Sequence, residues 1–193
     1  MEYNFKVQNL KFETRNPEPG TRNLEPGTWN NRTIETMNLP NVKNIAIVAH
    51  DKMKPDMVEW VRFNKSILAR HKLVCTGTTG RMLQDLLIEE KDNLPDKDFE
   101  IIRLKSGPLG GDQQLGAMIA EGKIHVLIFF WDPMEPQPHD VDVKALLRIA
   151  VLYNIPTASN RASADFLIAS PLFYGEYDTK QKDYGDYLQR SIP

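Results

Sequence analysis

The sequence predicts a doubly wound α/β domain, a five-stranded parallel sheet flanked by helices. Three observations point there. From Val42 onward, five short apolar runs alternate with five amphipathic segments, the rhythm of successive βαβ units. The runs are nearly continuous in apolar character, as strands buried on both faces are. Polar residues gather where the runs end, which is the edge of a parallel sheet at which ligands bind.

The first strand is Asn44-Ile-Ala-Ile-Val-Ala49. Pro55 then opens a helix, its fixed φ suited to a first turn, with Met57, Trp60, Val61, Ile67 and Leu68 at helical spacing. Leu73-Val-Cys75 is the second strand, and Thr76-Gly-Thr-Thr-Gly80 reads as a turn ahead of a helix ending near Glu90. After a polar connection, Lys91 to Lys97, the third strand spans Phe99 to Leu104. Ser106 to Gly111 is a Gly/Pro turn, followed by a helix marked by Leu115, Met118 and Ile119. Ile124 to Trp131 is the most apolar strand and is expected at the sheet centre. Beyond a proline-bearing loop, Asp132 to Asp142, residues Val143, Leu146, Leu147, Ala150 and Val151 recur in the i, i+3, i+4, i+7, i+8 pattern of an amphipathic helix. A strand near Thr157-Ala-Ser159 and a short helix from Ala162 to Ile168 complete the series.

Composition narrows the class. The 193 residues carry a net charge of -2, without the basic footprint of a nucleic-acid binder. Cys75 is the single cysteine, so neither a disulfide framework nor a cysteine-only zinc site is available. The longest apolar run, Val126 to Trp131, falls far short of the ~20 residues of a membrane helix. With no secretory leader in the sequence, a cytoplasmic protein is expected. Residues 1–40 read as a disordered extension, because Arg15-Asn-Pro-Glu-Pro-Gly-Thr21 and Arg22-Asn-Leu-Glu-Pro-Gly-Thr28 form a Pro-Gly repeat with almost nothing apolar. Residues 41–175 then form the main domain, and 176–193 a C-terminal tail.

The strand-end loops carry the chemistry. Thr76 to Gly80 has the makings of an anion cradle at a helix start, although alone it is as readily a cap. Ser106-Gly107 supplies a second edge and Lys54 a charge. The sequence lacks GxxxxGK[ST] and GxGxxG, which argues against a nucleoside triphosphatase or a dinucleotide fold and for a small phosphate ester. Asp112, after two glycines at a helix start, is either an N-cap or a general base. His139 is flanked by Asp140 and Asp142, which could orient its ring or raise its pKa. His50 ends a strand, His71 ends a helix where its charge suits the dipole, and His125 opens a strand. No metal-ligand spacing such as HxH or HExxH occurs, and Lys144 and Arg148 read as solvated or interface residues rather than catalytic ones. A phosphate cradle, a carboxylate and a histidine in one crevice suit proton abstraction beside the carbonyl of a phosphorylated triose. Return of the proton to the neighbouring carbon would make an isomerase, and departure of phosphate a lyase.

These residues closely resemble methylglyoxal synthase. The resemblance rests on Ile45-Ala-Ile-Val-Ala-His-Asp51, Thr76-Gly-Thr-Thr-Gly80, Ser106-Gly-Pro-Leu-Gly-Gly-Asp-Gln-Gln114 and Gly122-Lys-Ile-His-Val-Leu-Ile-Phe-Phe-Trp-Asp-Pro133. Pro138-His-Asp140, Asp142-Val-Lys-Ala-Leu-Leu-Arg148 and Asn154-Ile-Pro156 extend it. It implies conversion of dihydroxyacetone phosphate to methylglyoxal and inorganic phosphate, with no metal or organic cofactor. It further implies Asp112 as the base at C3, His139 moving protons at the substrate oxygens and Asp142 tuning it. His50, Lys54, Thr76, Gly77, Thr78, Thr79, Ser106 and Gly107 match the family's substrate- and phosphate-binding positions, and Asp132 an active-site aspartate. A homohexamer inhibited by inorganic phosphate is also implied. The rival reading is a non-catalytic, phosphate- or metabolite-sensing regulatory domain of the same fold, which needs the cradle but not Asp112 with His139.

Overall fold

Alternation along the strands divides the apolar side chains between two faces, and helices cover both. In this computed structural model, which describes residues 36–94, 99–135 and 140–181, the central sheet comprises β2 (Asn44–Ala49), β3 (Lys72–Thr76), β4 (Glu100–Leu104), β5 (Val126–Phe130) and β6 (Thr157–Ala158). All its pairings are parallel, in the order β4-β3-β2-β5-β6. The middle position is held by β2; the more apolar β5, expected there, lies beside it between β2 and β6. Both are buried along almost their whole length, so apolar content alone does not separate them.

The odd-numbered residues Ile45, Ile47, Leu73 and Cys75 and the even-numbered Val126, Ile128 and Phe130 share one face. Against it pack Trp60 and Val61 of α1 (Lys54–Leu68), Leu83 and Leu87 of α2 (Gly77–Glu89), and Ile168 of α5 (Arg161–Ala169). The opposite face, with Ala46, Val48, Val74, Leu127 and Phe129, receives Leu115 and Ile119 of α3 (Gly111–Ala120) and Val143, Leu146 and Ala150 of α4 (Asp140–Leu152). Each buried Val, Leu, Ile or Phe among them contributes about 1.5–3 kcal/mol relative to exposure. Burial also pushes the Cys75 thiol up to about 12, so it stays protonated and unreactive.

One feature departs from the sequence reading. Thr36–Leu39 is a strand, β1, paired antiparallel with β7 (Tyr177–Lys180) so that Met37 faces Thr179. The expected extension (1–40) and tail (176–193) thus overlap this ribbon; the remaining residues of each, 1–35 and 182–193, lie outside the described residues. Each strand is four residues long, too short for a period-two pattern to register. Lys43 anchors the ribbon: nearly fully buried, its Nζ donates to Pro40 O and Gly175 O, both at 2.8 Å, over the Phe173 ring.

The same edge corrects the reading of His71. It lies beyond the end of α1 and is buried, with Nδ1 accepting the Lys43 N–H at 3.1 Å. Burial first, then the charges of Lys43 and Arg70, lowers its pKa from 6.5 to about 4, so it is neutral rather than a dipole-stabilising cation. His125 follows suit: Nδ1 accepts the Asn44 N–H at 2.8 Å, and burial lowers its pKa.

The unfolded chain binds more protons at His71 than the folded one between pH 6.5 and about 4, so its contribution to stability is complete above that window and is lost as pH falls through it. Urea unfolding at a series of pH values is expected to show this decline. His71→Gln, which keeps an acceptor without a titrating ring, is expected to make the decline shallower.

Candidate active site

Strand order reverses between β2, from which the chain moves toward β4, and β5, from which it moves toward β6. Such a switch point leaves a crevice at the carboxyl ends of the strands. Here it is a cavity of about 190 Å³. From the end of β2 come Val48, Ala49, His50 and Asp51, and from the start of α1 comes Lys54. Thr76, Thr78 and Thr79 enter from the β3–α2 junction; Ser106, Gly107 and Pro108 follow β4. Asp112 of α3 and Phe129 of β5 close the lining.

The Thr76–Gly80 segment is the first turn of α2 rather than a turn ahead of it, with Thr76 as N-cap. The Thr76 side chain makes no capping bond and the first turn holds no acidic residue. The positive end of the helix is therefore directed at a cavity that Thr78 and Thr79 line, an arrangement suited to an anion. Lys54 reaches the same cavity and pairs with Asp51 three residues earlier.

The backbone at Lys105–Ser106 shapes both sides of the site. Gly77 donates its N–H to Lys105 O at 3.1 Å. At its φ of +28°, a Cβ would stand 2.7 Å from Ser106 Cα. On the other side, a Cβ on Gly111 would stand 2.0 Å from the same Lys105 carbonyl oxygen, and the Gly111 N–H donates to Ser106 O at 3.0 Å. Two residues without side chains thus let the β4 exit pass between the start of α2 and the start of α3.

That packing delivers Asp112. The N-cap of α3 is Gly110, so of the two roles open to Asp112 the cap is taken. Asp112 is the second helical residue, 5% exposed, and lines the cavity. A buried carboxylate in the same cavity as a helix N-terminus can act as a base on an ester bound there. His50, which lines the same cavity, accepts the Asp132 N–H at Nδ1, 3.2 Å away, and meets Phe129 edge-on at 5.1 Å between ring centroids. With Nδ1 used as an acceptor, the neutral ring carries its proton on Nε2, a donor suited to a carbonyl oxygen.

Of the expected site residues, His50, Lys54, Thr76, Thr78, Thr79, Ser106, Gly107 and Asp112 line this cavity. Gly77 lies in the backbone that shapes it, and Asp132 reaches the site through its backbone N–H, which donates to His50 Nδ1. Asp142, half-buried in the first turn of α4, is not among the lining residues, and His139 lies outside the described residues. The sequence reading did not select Asp51 or Phe129. The i, i+3 spacing of Asp51 and Lys54 was a usable signal for the first; Phe129 looked like any core residue. Among the described residues, no group of three or more His, Cys, Asp or Glu side chains is arranged to hold a metal ion.

Comparison with known proteins identifies the family of the chain. The MGS-like domain family matches residues 56–159. Methylglyoxal synthase of Maridesulfovibrio salexigens is 60% identical over 157 residues, covering 80% of this chain and all of that protein. The Proteus mirabilis methylglyoxal synthase is 51% identical over 80% of this chain and 95% of its own. The crystal structure of methylglyoxal synthase from Elizabethkingia anophelis superposes with a TM-score of 0.73 at 48% identity, covering 82% of this chain and 98% of that one.

The close approach at Gly111 makes a contrast between two glycines of α3. Gly111→Ala is expected to cost about 2–3 kcal/mol, the scale of overpacking against fixed backbone. At Gly116 a Cβ would meet Ile149 Cδ1 at 3.5 Å, an ordinary contact. Gly116→Ala is therefore expected to be neutral or to stabilise by about 0.5–1 kcal/mol through helix propensity. Urea unfolding of both variants measures the difference.

Proposed function

Because the chain belongs to the methylglyoxal synthase family, we propose that its cavity binds dihydroxyacetone phosphate and expels the phosphate group, yielding methylglyoxal. The protein is a carbon–oxygen lyase. The observation that carries the reading is the buried carboxylate of Asp112 in the same cavity as the α2 N-terminus and Lys54. The cavity, about 190 Å³, lies below the roughly 300–1,000 Å³ of sites for drug-sized ligands, as a three-carbon phosphate requires.

In the proposed reaction the phosphate dianion sits at the N–H groups of Thr78 and Thr79 with Lys54 alongside. Ser106 and Gly107 form its second edge. Asp112 takes a proton from C3, and the electron pair moves into an enediolate between C3 and C2. His50 donates from Nε2 to the oxygen that gains charge, and it can do so without a free cation in the site. The enediolate electrons then break the C1–O bond. Phosphate leaves with that bonding pair, the C3 hydroxyl proton is lost as the aldehyde forms, and the resulting enolate takes a proton at C1, which becomes the methyl group as the C2 carbonyl re-forms. His139 moves protons at the substrate oxygens, and Asp142 tunes it.

Inorganic phosphate carries the same anion as the substrate and is proposed as an inhibitor at the same cradle. The assembly is proposed to be a homohexamer in the cytoplasm. Exposed apolar side chains including Leu109, Met134, Val141 and Phe166 support association between copies. Among the described residues no helix is long and apolar enough to cross a membrane.

Phosphate release from dihydroxyacetone phosphate by the purified protein, with methylglyoxal formed in equal amount, tests the reaction. No release from folded protein would favour a ligand-sensing domain, and glyceraldehyde 3-phosphate as main product an isomerase. Asp112→Asn is expected to lower kcat by about 10³-fold or more with KM little changed. Lys54→Ala is expected chiefly to raise KM, by about tenfold. Steady-state kinetics of both variants separate the base from the cradle.

A further inference from the structure

Past the end of β4, the Lys105 backbone is engaged in two directions. Its carbonyl accepts the Gly77 N–H at 3.1 Å, which ties it to the anion cradle. Its N–H donates to Gln114 Oε1 at 2.9 Å. Gln114 lies on α3 two residues beyond Asp112, and its own N–H donates to Gly110 O. The side chain therefore bridges from the first turn of the helix that carries the carboxylate to the backbone that forms the cradle.

We propose that Gln114 is a positioning residue for proton abstraction, holding the first turn of α3 against the Lys105 backbone so that Asp112 keeps its distance from the anion cradle. The inference rests on the lyase reading given above. Gln114 itself is exposed and lines no part of the cavity, so it acts through Asp112 and not on substrate.

The two halves of the bridge are unequal in kind, and this gives a specific signature. The Lys105–Gly77 bond is made by backbone and survives any change at position 114. The Lys105–Gln114 bond needs a side-chain acceptor. Removal of that acceptor leaves the cradle and the Gly111 N–H bond to Ser106 O in place but frees the other end of the first turn of α3, so the carboxylate loosens and kcat falls while KM and phosphate affinity hold. Errors of about 1 Å in the placement of a catalytic group cost on the order of 10²-fold in rate. A residue that served folding alone would lower the unfolding temperature without changing kcat well below it.

The test compares Gln114→Leu, without an acceptor, with Gln114→Glu, which retains one. Gln114→Ala is assayed beside them as a second acceptor-free variant. The expected result is a kcat about tenfold or more below wild type for Leu and Ala, with KM and the inhibition constant for inorganic phosphate within about twofold, and recovery to within about threefold for Glu. Leu and Ala variants at wild-type kcat would overturn the inference, as would a Glu variant no better than Leu. Failure of both acceptor-free variants to fold would make Gln114 a structural residue and overturn it equally. An inactive wild-type enzyme would overturn the lyase reading, and the inference with it; an active wild type confines any failure to Gln114.

Discussion

The site depends on one close approach, the passage of the Lys105–Ser106 backbone between Gly77 and Gly111. Neither glycine has room for a Cβ, with Ser106 Cα 2.7 Å and Lys105 O 2.0 Å from where one would stand. Hydrogen bonds run outward from this point in both directions, to the first turn of α2 and to the start of α3. The proposed anion cradle and a carboxylate borne by different helices are thereby set on a common frame of backbone. Catalysis by a single proton transfer gains most when the base is fixed before substrate arrives, and backbone fixed by steric contact is harder to displace than a side chain with rotamers.

Much of this architecture could be read from the sequence, for identifiable reasons. Strands buried on both faces produce apolar runs such as Ile45–Ala49 and Val126–Phe130 that few other structures explain. The order of the chemical groups along the chain then follows from the rule that parallel sheets bind ligands at their carboxyl ends. The sequence did not reveal the β1–β7 ribbon, because two four-residue strands 140 residues apart leave no periodic signal and pair only through tertiary structure. Nor did it separate the two readings of Asp112. The structure places the cap on Gly110, which depends on how tightly the following glycine packs against Lys105.

The histidines show how environment assigns roles to one residue type. His50, His71 and His125 each accept a backbone N–H through Nδ1. The last two do so at successive residues, Lys43 and Asn44, at the amino-terminal edge of the sheet, where burial holds both pKa values down. They secure the entry to β2. His50 makes the same bond at the other end of that strand, and there the ring borders a cavity with a carboxylate and a lysine. A sequence motif cannot distinguish these cases, since the bond is the same and only the surroundings of the ring differ.

The central claim is that one cavity grips the anion and presents the base. A crystal structure with a phosphorylated three-carbon analogue that cannot eliminate tests it most directly. The account predicts phosphate oxygens at the N–H groups of Thr78 and Thr79, and the carbon equivalent to C3 within about 3–3.5 Å of an Asp112 carboxylate oxygen. An analogue bound with its phosphate away from the start of α2, or with its reacting carbon beyond the reach of Asp112, would contradict it.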